Sequence, residues 1–328
     1  MLTRRSAVML PLALPFATRA ASAQASTQVR ISTAAPPGDF LSKALEQLKA
    51  DVDRASVGLS VSVHPASSLF KQGTEVPALQ RGNLEMSTMT TFEVAQQVPE
   101  LGFLNRAYLF RDYDHLRRVF DGPVGNDYRR IVADKMDIEI LATAYLGTRQ
   151  AALRNRRKVA GPQDLADVKM RMPAGPDWLL LGRALGVSPV PMGMPEVYLA
   201  LKTGAIDGQE NPLSIFNAAK LYEVSEQVVL TSHMVQPVFY SIARPFHQKL
   251  TAAQQQALAT AAIASAKAND DARLADERGI IDAMKTRGLA VDIIDLAPFR
   301  TLADKVYGEA DVAKTWNATM ARRVADAT

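Results

Sequence analysis

Between Val29 and Val63 the chain spells out a strand, a loop, an amphipathic helix and a second strand, and that order constrains the fold more than any other feature. Val29 to Thr33 reads as a strand and Pro36-Pro37-Gly38 as a loop. Leu41, Ala44, Leu45, Leu48 and Val52 then recur at the i, i+3, i+4, i+7 spacing of a helix with one core-facing stripe. Leu59, Val61 and Val63 alternate with Ser60, Ser62 and His64, the pattern of a half-buried strand. A helix between two strands makes them a parallel crossover pair, so the chain is committed to an α/β sheet covered by helices. The pattern continues with a helix at 73–80, a strand at 84–89, a helix at 114–135 and a strand at 138–144. A second series begins after Arg149: a strand at 168–172, helices at 176–185 and 195–203, a strand at 205–208, a helix at 212–219, and strands at 228–230 and 238–243. Two such units in succession, each offering a ligand position outside the carboxyl ends of its strands, leave a cleft where they face one another. Thr251 and Gln254 form a capping box that opens helix-compatible sequence as far as Gly288. At 1.5 Å per residue those ~37 residues span about 55 Å. One lobe is too small for that length, so the helix is expected to run along both, with Gly279 as the place for a kink.

The start of the 328-residue chain reads as an address rather than as structure. Met1 to Ala25 joins Arg4 and Arg5 to a short apolar run and to small residues at Ala21, Ala23 and Ala25, the make-up of a secretory signal peptide. Pro11 and Pro15 interrupt a run already too short to span a bilayer. The arginine pair resembles a twin-arginine signal without the usual residues after it, which leaves both export routes open. Because the leader holds three arginines and no acid, the formal charge of +4 shrinks to near neutrality in the mature chain, and no nucleic-acid partner is expected. With no cysteine there is neither a disulfide nor a thiol for a lipid anchor, so the expected location is the periplasm of a bacterium with two membranes.

Catalytic signatures are missing. The four histidines, His64, His115, His233 and His247, fall in no metal-ligand spacing, and the sequence has no nucleophile elbow, dinucleotide fingerprint or P-loop. No enzyme, metal or cofactor is expected. His233 reads as a hydrogen-bonded structural residue.

One region carries a specific resemblance. Lys169-Met170-Arg171-Met172-Pro173, Leu185-Gly186-Val187-Ser188-Pro189-Val190-Pro191-Met192, Glu196-Val197-Tyr198-Leu199-Ala200-Leu201 and Asp207-Gly208-Gln209-Glu210-Asn211-Pro212 resemble the solute-binding proteins of TRAP transporters, of the DctP type. Gly147-Thr148-Arg149-Gln150 upstream, with Tyr222-Glu223-Val224 and Thr231-Ser232-His233 downstream, match that family in order. The resemblance implies a two-lobed periplasmic binding protein fold, with a ligand cleft between the lobes and a long helix spanning both. The implied division is 26–146 with 238–275 as lobe 1, and 147–237 with 276–328 as lobe 2. It also implies capture of a small carboxylate ligand and delivery to small and large membrane subunits for secondary active uptake. The alternative is the same fold presenting its ligand to a membrane receptor as a sensor.

By the same resemblance Arg171 pairs with the ligand carboxylate, Asn211 offers it an amide, and Arg149 adds a contact in the acid-sugar binders. Arginine suits the task because its planar fork of donors matches a carboxylate in a bidentate pair, which lysine cannot copy. Glu210 and Glu196 read as structural acids. Phe40, Lys71 and Thr90 on the first lobe, with Trp178 on the second, are candidates for the far wall of the pocket, and Lys71 is the group that would neutralise a second carboxylate. Thr90 and Met194 stand where the sialic-acid branch has an acid and an aromatic ring, which counts against sialic acid. Dicarboxylate, 2-oxo or hydroxy acid, uronate and aromatic acid all stay open.

Overall fold

A computed structural model describes residues 26–327, so the signal peptide expected over 1–25 lies outside the described residues. The chain begins β1 (Thr27–Ser32), α1 (Phe40–Ala55), β2 (Leu59–His64), α2 (Glu75–Gln80), β3 (Met86–Thr90), α3 (Thr91–Ala95), α4 (Tyr113–Asp121), α5 (Pro123–Met136) and β4 (Ile138–Leu153). It continues through β5 (Lys169–Met172), α6 (Pro176–Ala184), β6 (Ser188–Pro191), α7 (Val197–Thr203), β7 (Gly208–Pro212), α8 (Leu213–Ala218) and β8 (Gln227–Ala243). The last elements are α9 (Arg244–His247), α10 (Ala252–Glu277), α11 (Ile280–Thr286), β9 (Ala290–Ile293), α12 (Ala297–Glu309) and α13 (Ala318–Ala325).

The strands form one sheet in the order β2-β1-β3-β8-β4-β7-β5-β6, with β9 added beside β8. Each half holds three strands paired in parallel, β2-β1-β3 and β6-β5-β7, closed by an antiparallel partner. Those two partners, β8 and β4, also pair with each other from Ile138↔Ala243 to Leu153↔Gln227 and so carry the sheet from one lobe into the other. The sequence pattern gives β4 only to Ala144 and splits β8 into two short strands. Register shifts at Ile140/Ala142, Tyr145/Gly147 and Arg149/Ala151 explain the difference, because each bulge swaps the faces and erases the alternation that marks a strand.

Helix α1 forms where its stripe and caps place it. Asp39 accepts the Leu41 amide at 2.9 Å, and Leu41, Leu45, Leu48 and Val52 are buried. Burying a Leu or Val side chain is worth about 1.5–3 kcal/mol against leaving it exposed, so one face fixes the helix on the sheet. The single helix expected over 114–135 is two, because Gly122 is extended and Pro123 opens α5 at the one turn where its missing N–H costs nothing. The long helix likewise breaks at Gly279, so that α10 lies along α1 and α11 continues onto α8 and β9. α12 buries Phe299, Ala303 and Tyr307 in the core around α6, on the second lobe. α13 turns back: Met320 and Val324 sit in the first-lobe core with Phe103 and Tyr128, so 276–328 does not pack as one piece of lobe 2.

The inward stripe of α10 changes chemistry along its length. Leu258, Ala261, Ala262 and Ala266 pack on the first lobe, and within the next two turns the stripe becomes Asn269, Asp270 and Arg273, all buried. These polar residues hold β4 where it leaves the first lobe. Asp270 accepts the Tyr145 amide at 2.7 Å, Asn269 donates to the Tyr145 carbonyl at 2.8 Å, and Glu277 accepts the Thr148 amide at 3.0 Å. Backbone groups that the bulge removes from the ladder are satisfied in this way. Arg273 spans the lobes, reaching Asp39 beside α1 and donating to Ser214 of α8 at 2.6 Å.

Gly147 lies at this crossing with φ +123°, and a Cβ there would meet the Pro212 side chain at 2.6 Å. Gly147→Ala is therefore expected to destabilise the protein by about 1–3 kcal/mol. A urea unfolding midpoint equal to wild type would show that the crossing tolerates a side chain.

Candidate functional site

The carboxyl ends of β1 and β3 in one lobe and of β5 and β7 in the other face a single cleft, as the parallel order requires. Thr33, Thr88 and Thr90 line the cleft on one side, and Arg171, Trp178 and Asn211 on the other. Its walls touch. The Gln72 amide oxygen, in the loop before α2, accepts from Arg171 Nη2 at 3.0 Å and from the Met194 amide at 3.1 Å. Phe92 of α3 meets Trp178 of α6 edge to face, with ring centroids 6.3 Å apart.

Arg171 sits on β5 and is 1% exposed. Its Nε donates to the Met192 carbonyl at 2.8 Å, which orients the fork, and no carboxylate among the described residues forms an ion pair with it. Burial pushes its pKa down to about 10; the Glu210 charge works in the other direction. It therefore stays a cation at neutral pH. Burying a charge without a partner costs several kcal/mol, so a retained buried cation needs an anion.

Arg149 differs. Its Nη2 donates to a Glu210 side-chain oxygen at 2.8 Å and to the Asn211 side chain at 3.0 Å, and its Nη1 donates to Gln236 at 2.7 Å. The guanidinium also lies 4.8 Å from the centre of the Trp178 ring. Behind it Glu210 accepts from His233 Nε2 at 3.0 Å, and the Thr231 hydroxyl lies 2.8 Å from His233 Nδ1. Because Thr231 also accepts the Ala151 amide, its own proton is free to go to His233 Nδ1, which assigns a neutral ring protonated at Nε2. Burial holds His233 below its ordinary pKa, while Arg149 and His233 outweigh burial and hold Glu210 below the usual carboxylate range. Arg149 thus brings its own counter-ion, whereas Arg171 has none among the described residues.

Residues 31–312 match the model of the bacterial extracellular solute-binding proteins, family 7. The chain belongs to this family. It is 33% identical, at a TM-score of 0.88, to a TRAP periplasmic solute-binding protein from Roseobacter denitrificans solved with bound 3-deoxy-D-manno-oct-2-ulosonic acid, covering 92% of this chain and all of the other. It is 28% identical to the sialic acid-binding periplasmic protein SiaP of Vibrio cholerae, over 92% of this chain and 94% of that one. A solute-binding protein of Verminephrobacter eiseniae is 33% identical over 88% of this chain and 89% of its own.

In this family 7 protein Arg171, Arg149, Asn211, Trp178 and Thr90 all line the cleft. One Asn211 N–H is held by Gln209 at 2.6 Å and the other lies 3.7 Å from the Met194 sulfur, a weak contact that a carboxylate can replace. Lys71 and Phe40 are not in the cleft wall. The tight loop before α2 turns Lys71 out to solvent and Gln72 inward. Phe40, the first residue of α1, lies under Arg273 at 5.9 Å, at the junction of the lobes. Sequence reasoning missed Gln72 and Glu93, and it took Glu210 as a plain structural acid. The Gly-Thr-Arg and Gln-Glu-Asn stretches held the clue to Glu210, since β4 and β7 pair Gln150 with Asn211 and Ala151 with Glu210.

Proposed function

We propose that the protein captures a small organic acid by its carboxylate in the cleft, without turning it over, and delivers it from the periplasm to the membrane subunits of a TRAP transporter. The observation that carries this reading is Arg171, a buried cation without a counter-ion among the described residues, at the carboxyl end of a strand in the cleft between the lobes. An incoming carboxylate takes Nη1, which has no partner among the described residues, and shares Nη2 with Gln72, with the amide of Asn211 beside it. Trp178 and Thr90 supply the walls. One relative solved with bound 3-deoxy-D-manno-oct-2-ulosonic acid and another named for sialic acid binding support the class of ligand, and Thr90 and Met194 weigh against sialic acid itself. The lobes are proposed as 26–146 with 238–275, and 147–237 with 276–317, residues 318–327 returning to the first.

A thermal-shift screen of organic acids tests the proposal. A ligand at 100 times its Kd adds about 2.7 kcal/mol of stability, several degrees of Tm for a chain this size. If no carboxylate shifts the transition, or if the stabilising acid is consumed, the reading fails.

A further inference from the structure

The charged side chains lining the cleft are Arg149, Arg171 and Glu93. Arg149 is balanced by Glu210, so a single cation is left over, and both arginines belong to the second-lobe side. Among the described residues, the opposite wall carries no cation. It presents Thr33, Thr88 and Thr90, half-buried or buried, and the carboxyl of Glu93 on α3, which is itself buried. One oxygen of that carboxyl, Oε2, accepts both the amide and the hydroxyl of Thr90 at 2.7 Å, completing the capping box of α3. The other oxygen, Oε1, has no hydrogen-bond partner among the described residues. No arginine or lysine forms an ion pair with Glu93, and burial holds its pKa above the ordinary value. Behind it Glu75, also buried, is pushed up to about 8, first by burial and then by the charge of Glu93.

We propose that Glu93 sets ligand specificity: it selects acids with one carboxylate and a hydroxylated far end, and it turns away dicarboxylates. This rests on Arg171 holding the carboxylate. A hydroxyl arriving at the first-lobe wall donates to Oε1 of the ionised Glu93, and Thr33 and Thr88 extend the polar surface. A second carboxylate in the same place meets a buried acid with no cation nearby, a repulsive contact that acts against the wrong ligand.

The test is a matched pair. Galactonate and galactarate share a carbon skeleton and differ at the far end, where a hydroxymethyl group is replaced by a second carboxylate. Calorimetric titration of the mature protein should show galactonate, or the related monoacid glucuronate, binding roughly 100-fold or more tighter than galactarate. Glu93→Gln keeps the capping box, because glutamine serves at that position, but removes the charge. It should narrow the ratio at least about tenfold, mainly by admitting galactarate. Wild type binding galactarate within about threefold of galactonate, binding succinate but none of the hydroxylated monoacids, or binding none of these probes overturns the proposal, as does an unchanged ratio in Glu93→Gln. The wild-type ratio alone decides the matter if the variant does not fold. Arg171→Ala separates the two readings. If it binds galactonate normally while Glu93→Gln alters selectivity, the carboxylate anchor is wrong and the role of Glu93 stands.

Discussion

Arg171→Ala is expected to weaken binding of the cognate acid by some 30- to several-thousand-fold, the largest effect of any single substitution in the cleft. The reason lies in what the substitution leaves behind. In the proposed complex the ligand carboxylate is desolvated against a guanidinium that has Met192 and Gln72 as its only hydrogen-bond partners among the described residues. Without the arginine that carboxylate is buried with no counter-charge, and truncating one side of such a pair costs roughly 2–5 kcal/mol, at about 1.4 kcal/mol per tenfold. Arg171→Lys should recover part of the loss, because a point charge satisfies the Coulombic need but not the two parallel hydrogen bonds. The unliganded alanine variant should stay folded, since the charge removed has no buried acid to orphan. Calorimetric titration of wild type and both variants checks this. Binding by the alanine variant within about fivefold of wild type, a loss near 1 kcal/mol, would remove the anchor from the proposed mechanism.

The cleft positions of Arg171 and Asn211 were legible through the family resemblance of the compact motifs that carry them, and both lie near strand ends, where an α/β sheet binds its ligands. Helix α1 and the start of α10 were legible for local reasons, an apolar stripe in one and a capping box in both the pattern and the structure of the other. What stayed hidden depends on contacts distant in sequence. The β4–β8 ribbon is invisible because three bulges break its alternation, and Gly147 and Pro237, residue types that seldom mark a strand interior, sit inside the ladder. The placement of Lys71 failed by one residue, because a loop shows its composition and not its direction. Gln72 and Lys71 are equally plausible from sequence, and only the close approach of Met194 and Arg171 selects the amide. The return of α13 to the first lobe rests on Met320 and Val324 meeting residues some two hundred positions away.

Glu210→Ala is the substitution expected to cost most in stability, about 3–5 kcal/mol. Glu210 is fully buried and neutralises Arg149, itself 3% exposed, while accepting from His233. Removing the carboxylate leaves an uncompensated buried guanidinium and a buried imidazole N–H without an acceptor. At about 2–4 °C per kcal/mol for chains of this order, Tm should fall by roughly 10 °C. The acid side of the stability profile gives an independent check. Glu210 has a folded pKa below its unfolded value near 4.3, so its contribution is complete above about pH 4.3 and is lost as pH falls through the folded value. His233, held neutral by burial, also has a folded pKa below its unfolded value near 6.5, so its contribution too is present above that pH and fades below it. Wild type should therefore lose stability in two stages on acidification, the second of them below about pH 4.3. Glu210→Ala should begin less stable at pH 7 and lack most of the second stage. Thermal unfolding of both proteins from pH 7 to pH 3 measures the two effects together. A variant within about 1 kcal/mol of wild type at pH 7, with the same acid slope, would mean that Arg149 finds another counter-ion. Glu210 would then not be the group that occupies Arg149, and the contrast between a paired Arg149 and an unpaired Arg171 would no longer rest on it.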